Sequence, residues 1–180
     1  DAETGKELWA FDPQIDKRRP YPLFSTRGAA LWSDGKQKRV FFGTLDGRLM
    51  AVDAATCRPA AAFGERGTID LRRGTADKYP ARSYALTSPP AIYKNLVITG
   101  SLVSDGEPQG PSGDVRAFDV HSGKEVWRFH TVPRPGELGH DTWEGESWKE
   151  RAGTNVWSIM SVDVERGLVF LPLTSPAYDY

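Results

Sequence analysis

The feature that most constrains this 180-residue chain is a phrase it contains twice. Asp1-Ala2-Glu3-Thr4-Gly5-Lys6-Glu7-Leu8-Trp9-Ala10-Phe11 returns as Asp119-Val120-His121-Ser122-Gly123-Lys124-Glu125-Val126-Trp127-Arg128-Phe129. Self-similarity of this kind marks a repeat architecture. Its chemistry is that of a turn between two strands: an acidic residue and a hydroxyl hold the bend, Gly takes a conformation closed to other residues, and Trp re-enters a hydrophobic layer. Weaker copies stand at Asp53-Ala54-Ala55-Thr56-Cys57-Arg58, followed by Phe63, and at Asp163-Val164-Glu165-Arg166-Gly167.

The spacing of these turns fits units of about 40 to 50 residues with four short strands, the blades of a propeller, better than solenoid repeats of about 20 to 35. The flanking segments agree. Arg39–Thr44, Arg48–Val52, Leu96–Gly100, Val115–Phe118 and Gly167–Leu171 are short, β-branched or aromatic, and bounded by turn residues, with Leu45-Asp46-Gly47 as a hairpin turn. No stretch sustains helical periodicity, so the fold class is all-β: a partial β-propeller, an arc of about three to four antiparallel blades. The expected segments are 1–11 as the end of one blade, then 12–63, 64–129 and an incomplete 130–180. An arc cannot close a ring, so the chain is expected to be part of a longer protein whose remaining blades are its partners.

Composition bounds the function. Lys and Arg (23) balance Asp and Glu (24), leaving no basic surplus to attract nucleic acid or an anionic membrane. The single cysteine, Cys57, excludes an internal disulfide, and no apolar run approaches a membrane span. Six Trp suit packing between sheets; Trp9 and Trp127 belong to the turn phrase, whereas Trp32, Trp143, Trp148 and Trp157 do not. The longest irregular stretch, His130–Gly153, has the length of a loop that covers a functional face. Its His130, His140 and Asp141 lack the clustered spacing of a zinc site.

The turn phrase, Thr87-Ser88-Pro89-Pro90, Gly100-Ser101-Leu102-Val103-Ser104-Asp105, Pro111-Ser112-Gly113-Asp114-Val115 and Asn155-Val156-Trp157 follow one another in an ordered set. As a set they resemble the pyrroloquinoline quinone (PQQ) dehydrogenases, more the membrane-type glucose dehydrogenase branch than methanol dehydrogenase. The resemblance spans almost the whole chain. It implies an eight-bladed propeller with the quinone near its axis between two stacking surfaces, and a divalent cation, calcium or magnesium, coordinated to it.

Carried over by position, the resemblance makes Arg27, Thr87, Asn155 and Trp157 cofactor-binding residues and Asp105 the metal ligand. Their chemistry is apt. A guanidinium offers a permanently charged fork to the quinone's carboxylates, an indole offers a rigid stacking face, and a loop carboxylate suits a hard cation. Read alone, the same residues are a surface arginine, a residue leading into a strand, a turn asparagine, a core tryptophan and a turn-capping aspartate. Departures from the pattern are plain: Arg19-Pro20-Tyr21-Pro22-Leu23-Phe24 holds neither the vicinal cysteines of methanol dehydrogenase nor the histidine of the glucose branch, so a second wall must be apolar or aromatic. Asp105 is followed by Gly106 where the glucose branch has Asn, and Thr174-Ser175 stand where methanol dehydrogenase places its asparagine ligand.

No catalytic residue is expected within the chain. The family's base comes from a later segment, and Asp179 is a weak candidate. The implied activity is oxidation of a sugar or alcohol hydroxyl, with electrons passed to a quinone or cytochrome acceptor. The implied location is the periplasm or the periplasmic side of a membrane. The alternatives are a non-catalytic propeller scaffold and a ligand-sensing domain, which share the turn phrase.

Overall fold

The computed structural model describes residues 1–177, so Asp179 lies outside the described residues. After an irregular N-terminal segment the chain forms a four-stranded antiparallel sheet of β1 (Ala30–Ser33), β2 (Lys38–Gly43), β3 (Arg48–Asp53) and β4 (Thr68–Asp70), in that order. β4 carries this sheet beyond residue 63, where the corresponding sequence segment ends. A short β5 (Tyr84–Ala85) then leads to β6 (Ala91–Tyr93) and β7 (Leu96–Thr99). β8 (Leu102–Val103) returns to pair with β5, and β9 (Val115–Asp119) and β10 (Glu125–Phe129) complete a second sheet in the order β6-β7-β9-β10. β11 (Ser161–Asp163) and β12 (Leu168–Phe170) form a two-stranded third sheet. Among the described residues the one helical element is a 3-10 turn at His140–Thr142.

The repeated phrase does what its chemistry requires. In both Asp53 and Asp119 turns the carboxylate accepts the N–H and hydroxyl three residues on, at 2.8 and 2.8 Å from Thr56 and at 2.7 and 2.6 Å from Ser122. The fifth residue is left-handed, Gly5 at φ 69° and Gly123 at φ 72°, and Cys57 takes the same conformation at φ 58°. The Asp163 copy occupies a different place. The Asp53 and Asp119 turns follow the third strands β3 and β9, whereas Asp163–Gly167 joins β11 to β12. The backbone bond is alike, with Arg166 N–H donating to Asp163 at 2.9 Å, but the Arg166 guanidinium at 2.8 Å takes the place of the hydroxyl.

Alternation along the second sheet explains how blades stack. Successive residues of a strand face opposite sides. Val97 and Phe118 join a core with Phe41, Leu49, Phe63, Leu71 and Tyr84 of the preceding sheet and its tail. Ile98, Val115 and Ala117 join a second core with Val156 and Met160, against which Trp127 and Val169 pack. Each large buried side chain contributes about 1.5–3 kcal/mol of transfer free energy. Turn tryptophans work at these seams: Trp9 Nε1 donates to the Ala54 carbonyl at 3.1 Å, and Trp127 lies between the second sheet and the β11–β12 hairpin. Trp32, outside the repeat, is a core residue of β1; its Nε1 reaches the Lys94 carbonyl at 3.0 Å. Two arginines stitch the sheets. Arg39 donates to Val120 and His121 carbonyls at 2.6 and 3.0 Å, and Arg116, 3% exposed, donates to the Leu71 carbonyl at 2.5 Å.

Candidate functional site

Antiparallel strands reverse direction, so the segment before a blade's first strand and the connection between its second and third strands emerge on one face. Arg27 stands three residues before β1, Thr87 four before β6 and Trp157 four before β11. Three successive blades thus present equivalent positions to the same face, and the side chains meet there.

The meeting point is the Trp157 carbonyl. It accepts from Arg27 Nη1 at 3.3 Å, from Thr87 Oγ1 at 3.2 Å and from the Ser88 hydroxyl. Arg27 is tied to Thr87 as well, its backbone N–H at 2.9 Å and its Nη1 at 3.2 Å from the Thr87 carbonyl. The guanidinium carbon lies 4.9 Å from the centroid of the Trp157 indole, which is 36% exposed. A carbonyl oxygen has two lone pairs, so three side-chain donors compete for it and one can turn to a ligand without loss.

Behind the indole the backbone is tightly held. A Cβ on Gly100 would lie 2.3 Å from the Val156 carbonyl oxygen, and one on Gly113 would lie 2.1 Å from that of Thr154. These two glycines let the ends of β7 and β9 press flat against residues 154–156. Asn155 is buried there at 1% exposure, and its Nδ2 donates to Thr174 Oγ1 at 3.1 Å and to the Gly153 carbonyl. Its Oδ1 has no partner among the described residues. The amide nitrogen is thus held within the chain while the amide oxygen is left open. Thr174, noted from the sequence only as standing where methanol dehydrogenase has an asparagine, is the partner of Asn155, through a contact across 19 positions.

Asp105 is placed differently. Leu102 pairs with Ala85 and Val103 with Tyr84, so the chain past β8 runs away from Thr87 and toward Arg82, which forms an ion pair with Glu107. Arg27, Thr87 and Trp157 are brought together; Asp105 has no hydrogen bond or ion pair to them among the described residues. No group of three or more His, Cys, Asp or Glu able to hold a metal occurs among the described residues. The 19–24 segment supplies aromatic surface, with Tyr21 and Phe24 edge to face at 6.2 Å.

The long loop is ordered by its own polar contacts. His130 Nδ1 meets Glu137 at 2.8 Å, His140 Nδ1 meets the Pro133 carbonyl at 3.1 Å, and the His140 ring stands edge-on to Trp148 at 5.2 Å. The Arg134 N–H and His130 hold the Glu137 carboxyl below its ordinary value. Both histidines are thus engaged with protein partners.

Antiparallel blades set side by side define an arc of a β-propeller, with donors and an indole meeting on the loops of one face. The chain belongs to the family described as PQQ: Glucose/ethanol/alcohol dehydrogenase, beta-propeller domain, which matches residues 1–180. It is 36% identical over 184 residues to the quinohemoprotein alcohol dehydrogenase ADH IIB of Pseudomonas putida, covering 95% of this chain and 24% of that protein. To the quinoprotein glucose dehydrogenase of Gluconobacter oxydans (strain 621H) it is 32% identical over 189 residues, covering 96% of this chain and 23% of that protein. The crystal structure of the quinohemoprotein alcohol dehydrogenase from Comamonas testosteroni superposes with a TM-score of 0.72 at 27% identity, covering 98% of this chain and 26% of that one. The chain spans about a quarter of the length of the curated relatives it matches.

Proposed function

We propose that the chain supplies an arc of the propeller of a PQQ-dependent dehydrogenase, and that Arg27, Thr87 and Trp157 are the part of the quinone site it contributes. The observation that carries this reading is the convergence of Arg27 and Thr87, from two successive blades, on the carbonyl of Trp157 in the next, beside its exposed indole.

The residues suit a planar, carboxylated quinone. Trp157 offers the stacking face, and Arg27 offers charge for the carboxylates. The guanidinium covers part of that face. A cation–π contact at an exposed site is worth about 0.5–1 kcal/mol, less than the roughly 1.5–3 kcal/mol of a hydrogen bond to a charged group. Arg27 would therefore exchange the indole face for a carboxylate of the quinone while keeping its backbone bond to Thr87. Asn155 acts from behind, fixing the segment that carries the indole. When bound, the quinone accepts two electrons from a hydroxyl-bearing substrate.

The substrate we propose is a sugar or alcohol, with a quinone or cytochrome as electron acceptor and a periplasmic or periplasm-facing membrane location. The relatives named for alcohol and for glucose support the class of substrate and not the choice within it. For the cation, calcium or magnesium, the described residues fit only partly. A calcium ion takes six to eight oxygens, and Asp105 supplies at most two, so most of the shell must come from the cofactor and from other segments.

The test is titration of the 180-residue chain with PQQ, read by tryptophan fluorescence. Quenching that saturates in the wild type and is lost in an Arg27→Ala, Trp157→Ala double variant supports the site. Unsaturable quenching that is the same in both overturns it.

A further inference from the structure

Residue 150 is where the long irregular loop turns back toward the site, and it does so in a conformation that L-residues disfavour. Glu150 has φ 54°. Left-handed backbone at a non-glycine residue costs about 1–2 kcal/mol and persists where the surroundings over-determine it. Here the surroundings are specific. Glu150 Oε1 accepts from Lys78 Nζ and Oε2 from Tyr79 Oη, each at 2.5 Å, and its carbonyl accepts the Gly110 N–H at 3.2 Å. Lys78 and Tyr79 hold the Glu150 carboxyl below its ordinary value, and burial with the Glu150 contact pushes the Tyr79 hydroxyl up to about 12.

From this turn the chain reaches the indole through Gly153, itself left-handed at φ 93°, along a segment held by hydrogen bonds on either side of it. Arg151 bridges to Gln109 and donates to the Ala177 carbonyl at 2.7 Å. Ala152 donates to the Pro108 carbonyl and accepts from Ala177 N–H, each at 3.0 Å. Residues 152–156 are all buried. The same segment that carries the indole is anchored at the Glu150 turn and at Ala152, so the backbone setting at residue 150 bears on where residue 157 is held.

We infer that Glu150 is a positioning residue for Trp157: its carboxylate, gripped by Lys78 and Tyr79, locks the turn from which the chain reaches the indole wall. The exposed Lys78 arm contributes little, as surface ion pairs do. The Tyr79 arm is the charge-assisted bond that matters. The inference rests on the proposed quinone site only for what Trp157 does, not for where it is held.

The test uses the 180-residue chain labelled with 5-fluorotryptophan, whose six tryptophans give separate fluorine resonances, Trp157 being assigned with Trp157→Phe. In both Glu150→Ala and Tyr79→Phe the Trp157 resonance shifts or splits while those of Trp9 and Trp32 stay, and the Tyr79→Phe thermal midpoint moves little. PQQ affinity in Tyr79→Phe falls about tenfold, the size of one lost charge-assisted hydrogen bond. An unchanged Trp157 resonance in Tyr79→Phe overturns the inference, whether or not Glu150→Ala folds. A wild-type chain that does not bind PQQ defeats the proposed quinone site instead, and the resonance shift still decides the role of Glu150.

Discussion

At the scale of single residues, Trp157 and Cys57 make opposite uses of exposed or strained positions. Trp157 leaves an indole face open where a core tryptophan would close it, and its carbonyl gathers the donors around it. Replacing it with Ala removes a stacking surface worth roughly 1–3 kcal/mol by analogy with bases on aromatic side chains, so PQQ affinity is expected to fall about 5- to 150-fold in a fluorescence titration. Cys57 occupies the left-handed fifth position of the turn phrase, held by Gly in the Asp1 and Asp119 copies. The strain there, about 1–2 kcal/mol, exceeds the roughly 0.5–1 kcal/mol that glycine forfeits in backbone entropy. Cys57→Gly is therefore expected to stabilise the chain by about 0.5–1 kcal/mol in chemical denaturation, although the thiol also contacts the Ala10 carbonyl at 3.4 Å.

At the scale of elements, turns and strand ends decide how close neighbouring backbones come. In the Asp119 turn burial pushes the carboxyl up, but the Ser122 hydroxyl and the Ser122 and His121 N–H groups outweigh it and hold the group below the ordinary carboxylate value. A carboxyl depressed in the folded state stabilises above its unfolded pKa, about 3.9, and that stability is lost as pH falls through the folded value. The stability difference between the wild type and Asp119→Asn, followed by thermal denaturation, should be full at pH 7 and shrink below about pH 4. Gly113 shows the other constraint. Its added Cβ would strike the Thr154 carbonyl and lie 2.6 Å from Asn155 Cβ, both backbone-anchored. Gly113→Ala should cost about 1–3 kcal/mol, as overpacking does, and weaken PQQ binding because the displaced segment carries Trp157.

At the scale of the whole molecule, the first two sheets are one cooperative unit, since Phe118 and Val97 of the second sheet sit in the same core as Phe41 and Leu49 of the first. Phe118→Ala should lower a single unfolding transition by about 3–5 kcal/mol, with coincident loss of signal from Trp32 in β1 and from the second sheet. Two separated transitions would show that the sheets fold independently. In a full-length dehydrogenase, Asp105→Ala should raise the calcium or magnesium needed for reconstitution while leaving the PQQ requirement nearly unchanged, and an unaltered cation requirement would remove Asp105 from the metal shell.

Much of this was readable from residue types in order. Asp, a hydroxyl, Gly and Trp at fixed offsets dictate an Asx-held turn and a returning aromatic, because those bonds lie within a few residues, and the strands Lys38–Gly43, Arg48–Asp53 and Val115–Asp119 follow from short β-branched or aromatic runs bounded by turn residues. The resemblance carried by ordered motifs located Arg27, Thr87 and Trp157, and the structure brings them together. What only the tertiary structure decided are the relations across many positions. That the Asp163 turn joins the first two strands of its blade depends on which strands pair, and strand pairing is a long-range property. That the Asn155 amide nitrogen is held by Thr174 depends on a residue arriving from 19 positions away. The direction of Asp105 is set by β8 choosing β5 as its partner, and the left-handed setting of Glu150 by Lys78 and Tyr79 across more than 70 positions. The turn chemistry is local and therefore legible; the orientation of the site is fixed by contacts between blades, which no short stretch of sequence contains.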